Sequence, residues 1–303
     1  MITTHPIRFV SLGPGEPDLI TLKGLKALQG ADCIFCPATM TQDGKSSSRA
    51  LSILNTLGFS DTVQCFRLPM DKDRTLALRS YEAVYESSKI LRAEGQNVVI
   101  VAEGDAGLYS SIHYIYDKLQ QDDIPVEQIA GIPAFIASGA MAGLHIVSQE
   151  ERLIVIPGHV TAKELDDYLK HQTVVVIMKL SQCIDEVHQC IINHPEYQYH
   201  YFENVGTEKE YYSCSTEELR EKKIPLFLGN DYQIRIRVHL VKVPDQSHTS
   251  YTSRHIRVVQ LVHHQLHNSS CTSCTSRHAP VVQLVVYRLY ISYILSYHVM
   301  MLK

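Results

Sequence analysis

The sequence predicts an α/β fold with two domains, in which strands and helices alternate and the first half forms a largely parallel sheet. In the first half, β-branched runs at residues 7–12 and 97–103 are separated by segments of helical spacing such as residues 75–96. After Pro157 the alternation restarts, beginning with a helical segment at residues 164–171. This order places helices on both faces of a parallel sheet. With 303 residues, 45% of them hydrophobic, the chain is long enough for two domains of ordinary size.

The pattern divides the chain into three parts. We expect an N-terminal α/β domain at residues 1–156, a C-terminal α/β domain at 157–228 and an atypical, poorly folded tail at 229–303. The tail holds half of the sixteen histidines and repeats TSRHIRVVQLV as TSRHAPVVQLV, with nine matches in eleven positions. Two copies are too few to bury a solenoid core. The tail is therefore either a short duplicated appendix or the product of a reading frame altered near Phe227.

Composition and charge argue against several functional classes. A formal net charge of −4 and a pI near 6.5 argue against a nucleic-acid binder. The N-terminus lacks the apolar core of a signal peptide, and eight cysteines in 303 residues do not form a disulfide framework, so we expect a cytoplasmic protein. Residues 281–302 are apolar but interrupted by polar residues, so we expect no membrane span.

A glycine-rich loop follows the first predicted strand, in the segment VSLGPGEPDLITLKG that begins at Val10. A dinucleotide fingerprint needs a third glycine where this chain has Asp18, and a Walker loop needs Gly-Lys-Ser/Thr after four intervening residues, which this segment does not have. Pro14 and Pro17 also lack the backbone N–H groups that cradle phosphate. The segment therefore predicts a stiff strand-to-helix turn.

Two further loops follow predicted strands. The segment AEGDAG, which includes Glu103 and Asp105, comes directly after a buried strand, and AGIPAFIASGAMAG follows the next strand. Asp105 is also suited to cap the helix that we expect to begin near Tyr109. Open α/β sheets bind ligands at the carboxyl ends of their strands, and glycine lets backbone and ligand approach closely. We therefore expect the three loops to converge on one functional sheet edge.

Two groups of cysteine and histidine residues have spacings that suit metal ions. Alternation along a strand places Cys33 and Cys36 on opposite faces, which favours two buried apolar residues over a metal pair. The second group lies in the tail, without a surrounding fold that would support zinc binding: His263, His264, His267, Cys271 and Cys274. We therefore predict no metal site.

Five segments together resemble the tetrapyrrole methylases, in the same order and at about the same spacing: SLGPGEPDLITLKG, AEGDAGLYSS, AGIPAFIASGAMAG, VVVIMKL and YFENVGTEKE. The resemblance spans residues 7–227. It implies a homodimer with S-adenosylmethionine bound in an active-site cleft between two α/β domains. Within the family, it is strongest to members that methylate C20 of precorrin-2 or cobalt-precorrin-2 in cobalamin biosynthesis. Two alternatives stay open: methylation of another tetrapyrrole, such as uroporphyrinogen III, or a catalytically impaired protein that binds the cofactor.

The resemblance also implies which residues form the site. The cofactor would contact loop residues that follow the strands: Gly104, Asp105, Tyr109, Ser110, Ser111, Ala130, Gly131, Ile132, Pro133, Met178, Asn204, Val205, Gly206 and Thr207. Asp105, or less favourably Tyr109, would accept the proton that leaves the macrocycle. The tetrapyrrole would face Gly13, Pro14 and Gly15. Because precorrin-2 carries many carboxylates, we also expect basic side chains near it, from Lys45, Arg49 and Arg74.

The chain departs from the family pattern at two places. Ala106 stands where the family commonly has proline, which loosens the turn without removing Asp105. The family usually ends with an apolar strand soon after the segment IPLF, whereas this chain enters the atypical tail at Leu228. Loss of that strand would leave an exposed sheet edge and a less stable second domain.

Overall fold

A computed structural model of the chain describes residues 5–40, 46–69, 75–171, 173–221 and 237–242. All of these ranges belong to one compact unit, Met1–Val243, and a second unit, Pro244–Lys303, lies outside them. The described residues form two β-sheets with helices between successive strands. The predicted α/β fold is confirmed, with largely parallel pairing in the first sheet and largely antiparallel pairing in the second.

The first sheet carries six strands among the described residues: β1 (Ile7–Ser11), β2 (Cys33–Met40), β3 (Ser46–Ser47), β4 (Val63–Pro69), β5 (Val98–Ala102) and β6 (Val126–Ile129). Its path runs β3-β2-β5-β1-β6, with β4 beside β2, and the pairs are parallel except for β2 with β3. The intervening helices are α1 (Leu22–Gln29), α2 (Arg49–Thr56), α3 (Thr75–Ala93) and α4 (His113–Gln121). Helix α5 (Ala134–Met141) follows β6.

Apolar side chains cover both faces of this sheet. Strand β5 is buried along its whole length because helices pack on either side of it. Cys33 belongs to the cluster on one face, with Phe9 and Ile100, and Cys36 to the cluster on the other. The predicted placement of these two cysteines on opposite faces is confirmed.

Helix α1 presents a different face from the one that its leucines predict. The helical spacing of Leu22, Leu25 and Leu28 predicts that these leucines share one face, but Leu22 is 76% exposed, and the buried positions are Gly24, Ala27 and Leu28. The helix begins at Leu22 because the Thr21 side chain caps it by accepting a hydrogen bond from the Gly24 N–H. Gly24 has no side chain, which lets α1 pack closely on β1.

The second sheet has five strands in the described part of the chain: β7 (Arg152–Ile156), β8 (Thr173–Met178), β9 (Tyr197–Glu203), β10 (Tyr211–Ser213) and β11 (Arg237–Lys242). Their order is β10-β9-β11-β8-β7. Helices α6 (Ala162–Leu169), α7 (Ile184–Asn193) and α8 (Thr216–Glu221) connect them. The sequence assigns residues 152–156 to the first domain, whereas β7 pairs in parallel with β8. We therefore propose that the domain boundary precedes β7.

Strand β11 comes from the segment that the sequence assigns to a poorly folded tail. It lies between β8 and β9 and pairs antiparallel with both. A strand that completes the second sheet is therefore present at residues 237–242, within the segment that the sequence assigns to the tail. Non-local pairing with two neighbours gives this short segment its structure. The sequence repeat, the tail histidines and cysteines, and residues 281–302 lie outside the described residues.

The described helices are all too short or too polar to cross a bilayer. The longest of them is α3, which has 19 residues and carries charged side chains along its length.

The two sheets contact each other through a close backbone packing at Gly15. A Cβ atom on Gly15 would lie 2.8 Å from the carbonyl oxygen of Val205 and 2.9 Å from that of Gly206. A Cβ atom on Gly206, where φ is +76°, would lie 2.6 Å from the backbone nitrogen of Glu16. The loop after β1 therefore packs directly on the loop after β9, and glycine is required on both sides.

Truncation tests the role of β11. A chain ending after Phe227 lacks β11 and leaves β8 and β9 with unpaired backbone groups, whereas a chain ending after Val243 keeps every described strand. We expect the shorter chain to melt at least ~10 °C lower by circular dichroism, or to lose its cooperative transition. Equal melting temperatures for the two truncated chains would show that the second sheet does not need β11.

Substitution of Gly15 tests the packing of the two loops. We expect Gly15→Ala to lower the free energy of unfolding by about 1–3 kcal/mol, because the added methyl group meets backbone atoms that have little room to move. Urea denaturation measures this effect. Gly30→Ala is the matched control, since its Cβ would meet only the Lys26 carbonyl oxygen at 3.6 Å, and we expect a change within about 0.5 kcal/mol. Equal losses in the two variants would contradict the tight packing.

Candidate active site

The loops after β1 and β5 are joined by a pair of backbone hydrogen bonds. The Gly13 N–H donates to the Gly104 carbonyl at 3.1 Å, and the Gly104 N–H donates to the Gly13 carbonyl at 2.6 Å. Both glycines have positive φ, +80° at Gly13 and +73° at Gly104. Gly13, Pro14 and Gly15 are buried. These residues therefore position the neighbouring loops, and the backbone donors of Gly13 and Gly104 already have partners.

Asp105 ties two backbone segments together. Its Oδ1 accepts a hydrogen bond from the Gly107 N–H at 2.8 Å, and its Oδ2 accepts one from the Gly131 N–H at 2.7 Å. Ser11 reinforces the same junction, because its hydroxyl accepts from the Ala106 N–H and donates to the Ile129 carbonyl. Asp105 thus closes its own turn and holds the loop after β6, while the next helix begins only at residue 113.

Tyr109 connects the first sheet with the second. Its backbone is left-handed, with φ of +51°, and its hydroxyl donates to the Val155 carbonyl in β7 at 2.9 Å. The following two serines are fixed by their neighbours: the Tyr81 hydroxyl donates to Ser111 Oγ at 2.7 Å, and His113 Nδ1 lies 2.6 Å from the Ser110 carbonyl oxygen. An exposed tyrosine in a strained conformation is typical of a functional segment.

Apolar side chains join the same loops. Met178, at the end of β8, packs with Phe135 of α5 and with Leu108. Ile132 packs on the cluster that contains Val205. Ala130 and Pro133 belong to the same loop, and Pro133 occupies the N-cap position of α5 without a side-chain hydrogen bond. Predicted cofactor-binding residues that follow four different strands are therefore brought together.

Arg49 contacts two of these loops from the start of α2. Its Nη1 lies 3.1 Å from Glu103 Oε1, and its Nη2 donates to Asn204 Oδ1 at 3.3 Å. Asn204 is left-handed, with φ of +49°, and its carbonyl accepts hydrogen bonds from the backbone and the hydroxyl of Thr207. Of the other predicted substrate-binding cations, Lys45 and Arg74 lie outside the described residues.

Three residues without a predicted site role contribute to the junction: Ser11, Thr21 and Glu103. Thr21 donates to the Ala130 carbonyl at 3.4 Å, in addition to capping α1. The sequence signal for Glu103 is its position directly before the Gly104–Asp105 pair, after a buried strand. Ser11 has a weaker signal, a polar residue at the end of an apolar strand that must find partners when buried.

One buried histidine lies close to the apolar part of this junction. His200 Nδ1 lies 2.9 Å from the Tyr212 hydroxyl, and the two rings stack with an interplanar angle of 8°. Burial lowers the pKa of His200, so the ring stays neutral near pH 7. Among the cysteines, burial raises the pKa of the Cys36 thiol to about 12, which keeps it protonated and poorly nucleophilic.

In the part of the chain that the structure describes, no group of three or more histidine, cysteine or acidic side chains is arranged to hold a metal ion. The tail residues with zinc-like spacing lie beyond that part.

The chain matches a known protein family. A sequence profile of the tetrapyrrole (corrin/porphyrin) methylases matches residues 6–220. The probable cobalt-precorrin-2 C(20)-methyltransferase of Methanocaldococcus jannaschii is 30% identical over 188 residues, covering 62% of this chain and 77% of that protein. The precorrin-2 C(20)-methyltransferase of a Sinorhizobium species is 28% identical over 230 residues, covering 72% of this chain and 91% of that protein.

Solved structures share the fold at lower identity. The cobalt precorrin-4 methyltransferase CbiF superposes with a TM-score of 0.56 and 19% identity, covering 77% of this chain and 94% of that chain. A uroporphyrin-III C-methyltransferase from Thermus thermophilus, complexed with S-adenyl homocysteine, gives a TM-score of 0.53 and 16% identity, covering 78% and 92% of the two chains. Because the family profile spans more than half of the chain, this protein belongs to the tetrapyrrole (corrin/porphyrin) methylase family.

Proposed function

We propose that this protein transfers a methyl group from S-adenosylmethionine to C20 of precorrin-2 or cobalt-precorrin-2, in cobalamin biosynthesis. The family assignment supports the coarser activity, methyl transfer to a tetrapyrrole carbon. The C20 position is supported by curated relatives named for that reaction at 28–30% identity. The structural observation that carries the proposal is the junction of the loops, in which Asp105 joins two loops of the first sheet and Arg49 and Tyr109 join the first sheet to the second.

The polar groups of the junction suit a cofactor that carries a sulfonium, an amino acid and an adenosine but no phosphate. Gly13 and Gly104 each donate their N–H group to the carbonyl oxygen of the other, so these donors do not form an anion-binding nest. Pro14 lacks an N–H altogether. The carboxylates of Glu103 and Asp105 are compatible with a positively charged ligand and would repel a phosphate.

The apolar groups suit the remainder of the same cofactor. Met178, Ile132 and Val205 lie on different loops of the junction and contribute apolar surface from both sheets. Small-molecule sites are commonly lined in this way, with a few placed polar groups that fix orientation. We infer that these side chains contact the adenosine and that residues 104–107 and 204–207 contact the rest.

The contribution of the chain to the reaction is positioning. When bound, S-adenosylmethionine supplies an electrophilic methyl group, which the C20 carbon would attack in line. Holding two reactants in a reactive orientation can supply much of the rate, provided that the surrounding groups stay fixed. Asp105 and Ser11 fix the two loops of the first sheet, and Tyr109 fixes them to β7.

The two residues predicted as bases already have hydrogen-bond partners. Both oxygens of Asp105 accept backbone N–H groups, and the Tyr109 hydroxyl donates to a carbonyl oxygen. These contacts occupy both carboxylate oxygens and the phenolic proton with backbone partners. We therefore propose that Asp105 and Tyr109 position the loops and that proton loss does not depend on them.

The supporting proposals follow from the family resemblance. We propose a homodimer that works in the cytoplasm, with no nucleic-acid or membrane partner.

Two alternative functions give different products. One is uroporphyrinogen-III methylation, the activity named for a Priestia megaterium relative that is 30% identical over 144 residues, covering 48% of this chain and 55% of that protein. The other is cofactor binding without turnover.

Asp105→Asn separates positioning from base catalysis. The asparagine oxygen can still accept one of the two backbone hydrogen bonds, but its NH₂ group faces the other N–H donor. We therefore expect the KM for S-adenosylmethionine to rise about tenfold and the pH profile of kcat to stay unchanged. A base at this position would instead lower kcat by about 10²–10⁴ and change that profile. Steady-state kinetics over a range of pH values measure kcat and the KM for S-adenosylmethionine. Asp61→Asn, at an exposed position, is the control and should leave both constants unchanged.

Methyl transfer with defined substrates tests the function itself. We expect ¹³C-methyl-labelled S-adenosylmethionine to label C20 of precorrin-2 or cobalt-precorrin-2, as located by NMR, and to leave uroporphyrinogen III unlabelled. Label at another carbon would contradict the C20 assignment. Calorimetric binding of the cofactor with no product from any tetrapyrrole would favour the binding-only alternative. The relative rates with free and cobalt-loaded precorrin-2 identify the preferred substrate.

A further inference from the structure

We propose that Arg49, Glu103 and Asn204 form a clasp that sets the shape of the loop at residues 204–207 and thereby the affinity for S-adenosylmethionine. The inference about affinity rests on the proposed function, whereas the effect on loop shape does not. The clasp joins three separate elements: the first turn of α2, the end of β5 and the end of β9.

The geometry of the clasp depends on the two nitrogens of one guanidinium group. Nη1 of Arg49 lies 3.1 Å from Glu103 Oε1, while Nη2 donates to Asn204 Oδ1 at 3.3 Å. The side chains of Arg49 and Glu103 are only 18% and 12% exposed. An arginine presents several donors in a fixed plane, so it holds two acceptors at a defined separation, which a lysine does not.

The ion pair makes this contact hard to break. A charge in a poorly hydrated environment is costly unless it is compensated, and removing the Glu103 charge takes away part of the compensation of Arg49. Glu103 therefore holds the Arg49 guanidinium in place, and Arg49 in turn holds the Asn204 side chain. This arrangement also differs from the predicted role of Arg49, since its guanidinium already faces a carboxylate of the protein rather than a substrate carboxylate.

Asn204 is the point at which the clasp acts on the cofactor loop. Its side chain is 7% exposed, and its left-handed backbone is one that asparagine tolerates better than most residues. The carbonyl oxygen of Asn204 accepts from Thr207 N at 3.1 Å and from Thr207 Oγ1 at 2.7 Å, which closes the loop. With Val205 and Gly206 packed against Gly15, the side-chain contact with Arg49 fixes the remaining side of the loop.

Glu103→Gln tests the clasp, because it removes the charge and preserves the shape of the side chain. We expect S-adenosylmethionine to bind about tenfold more weakly by calorimetry, which corresponds to about 1.4 kcal/mol. The KM for the cofactor should rise in parallel while kcat stays within about twofold, since binding and not chemistry is affected. Arg49→Lys should weaken binding similarly, because one ammonium replaces a two-nitrogen contact.

A matched control and a rescue variant separate the clasp from general damage. Glu127→Gln breaks a different ion pair of the first sheet, with Arg8 at 3.1 Å and Lys23 at 2.7 Å, and should leave cofactor affinity unchanged. A double variant, Glu103→Gln with Asn204→Asp, removes the carboxylate at position 103 and places one at position 204, the other residue that Arg49 contacts. We expect this double variant to recover most of the lost affinity.

Hydrogen exchange distinguishes failure of the clasp from failure of the proposed function. In the ligand-free protein, we expect peptides covering residues 204–207 to exchange faster in the Glu103→Gln variant than in the wild type, without a comparable change in β5. Unchanged exchange at residues 204–207 would overturn the clasp, whatever the affinity. Faster exchange at residues 204–207 in the Glu103→Gln variant would support the clasp. If the wild-type protein also binds no S-adenosylmethionine, the clasp stands and the proposed function is refuted.

Discussion

Close approach of backbone to backbone at glycine is the constraint on which the candidate site depends. A Cβ atom would lie 2.8 Å from a carbonyl oxygen at Gly15, 2.6 Å from a backbone nitrogen at Gly206 and 2.4 Å from the Ser11 Cβ at Gly131. Each of these glycines lies where a loop of one strand touches the loop of another. The convergence of the loops therefore requires that these positions carry no side chain.

Close packing of loops creates a second requirement, since polar backbone atoms removed from water need partners. Asp105 and Ser11 supply these partners at the centre of the junction, and the Arg49 guanidinium bridges acceptors on both sheets. Charged and hydroxyl groups that would suit catalysis are thus engaged in holding the loops. Methyl transfer tolerates this use of its polar residues, because an already electrophilic methyl group needs orientation more than it needs a strong acid or base.

The sequence predicts the parts of the fold that local patterns determine. β-branched runs identify β1, β5 and β8, and the prolines and glycines of residues 13–17 identify a stiff turn. It also predicts the set of loops that meet, because the carboxyl ends of parallel strands share one edge. Hydrophobic spacing alone misassigns the buried face of α1, where capping by Thr21 and close packing at Gly24 decide the orientation.

Non-local partners explain the remaining differences. The role of Arg49 depends on Glu103, 54 residues away, and on Asn204, 155 residues away, and no local pattern encodes either contact. Similarly, the local sequence of residues 237–242 does not by itself identify a strand. These six residues form β11 because they pair with β8 on one side and with β9 on the other.

The position of β11 also makes the site depend on a segment outside the family match, which ends at residue 220. The backbone of Arg237 is paired with Met178 of β8 on one side and with Phe202 of β9 on the other. Met178 belongs to the apolar part of the junction, and Phe202 lies two residues before Asn204. The spacing between these two parts of the site is therefore set by one intervening strand, since neighbouring strands lie at a fixed separation of about 4.8 Å. The compositional change after Leu228 does not mark the end of the functional structure, because the site geometry needs a backbone ladder at residues 237–242 whatever side chains it carries.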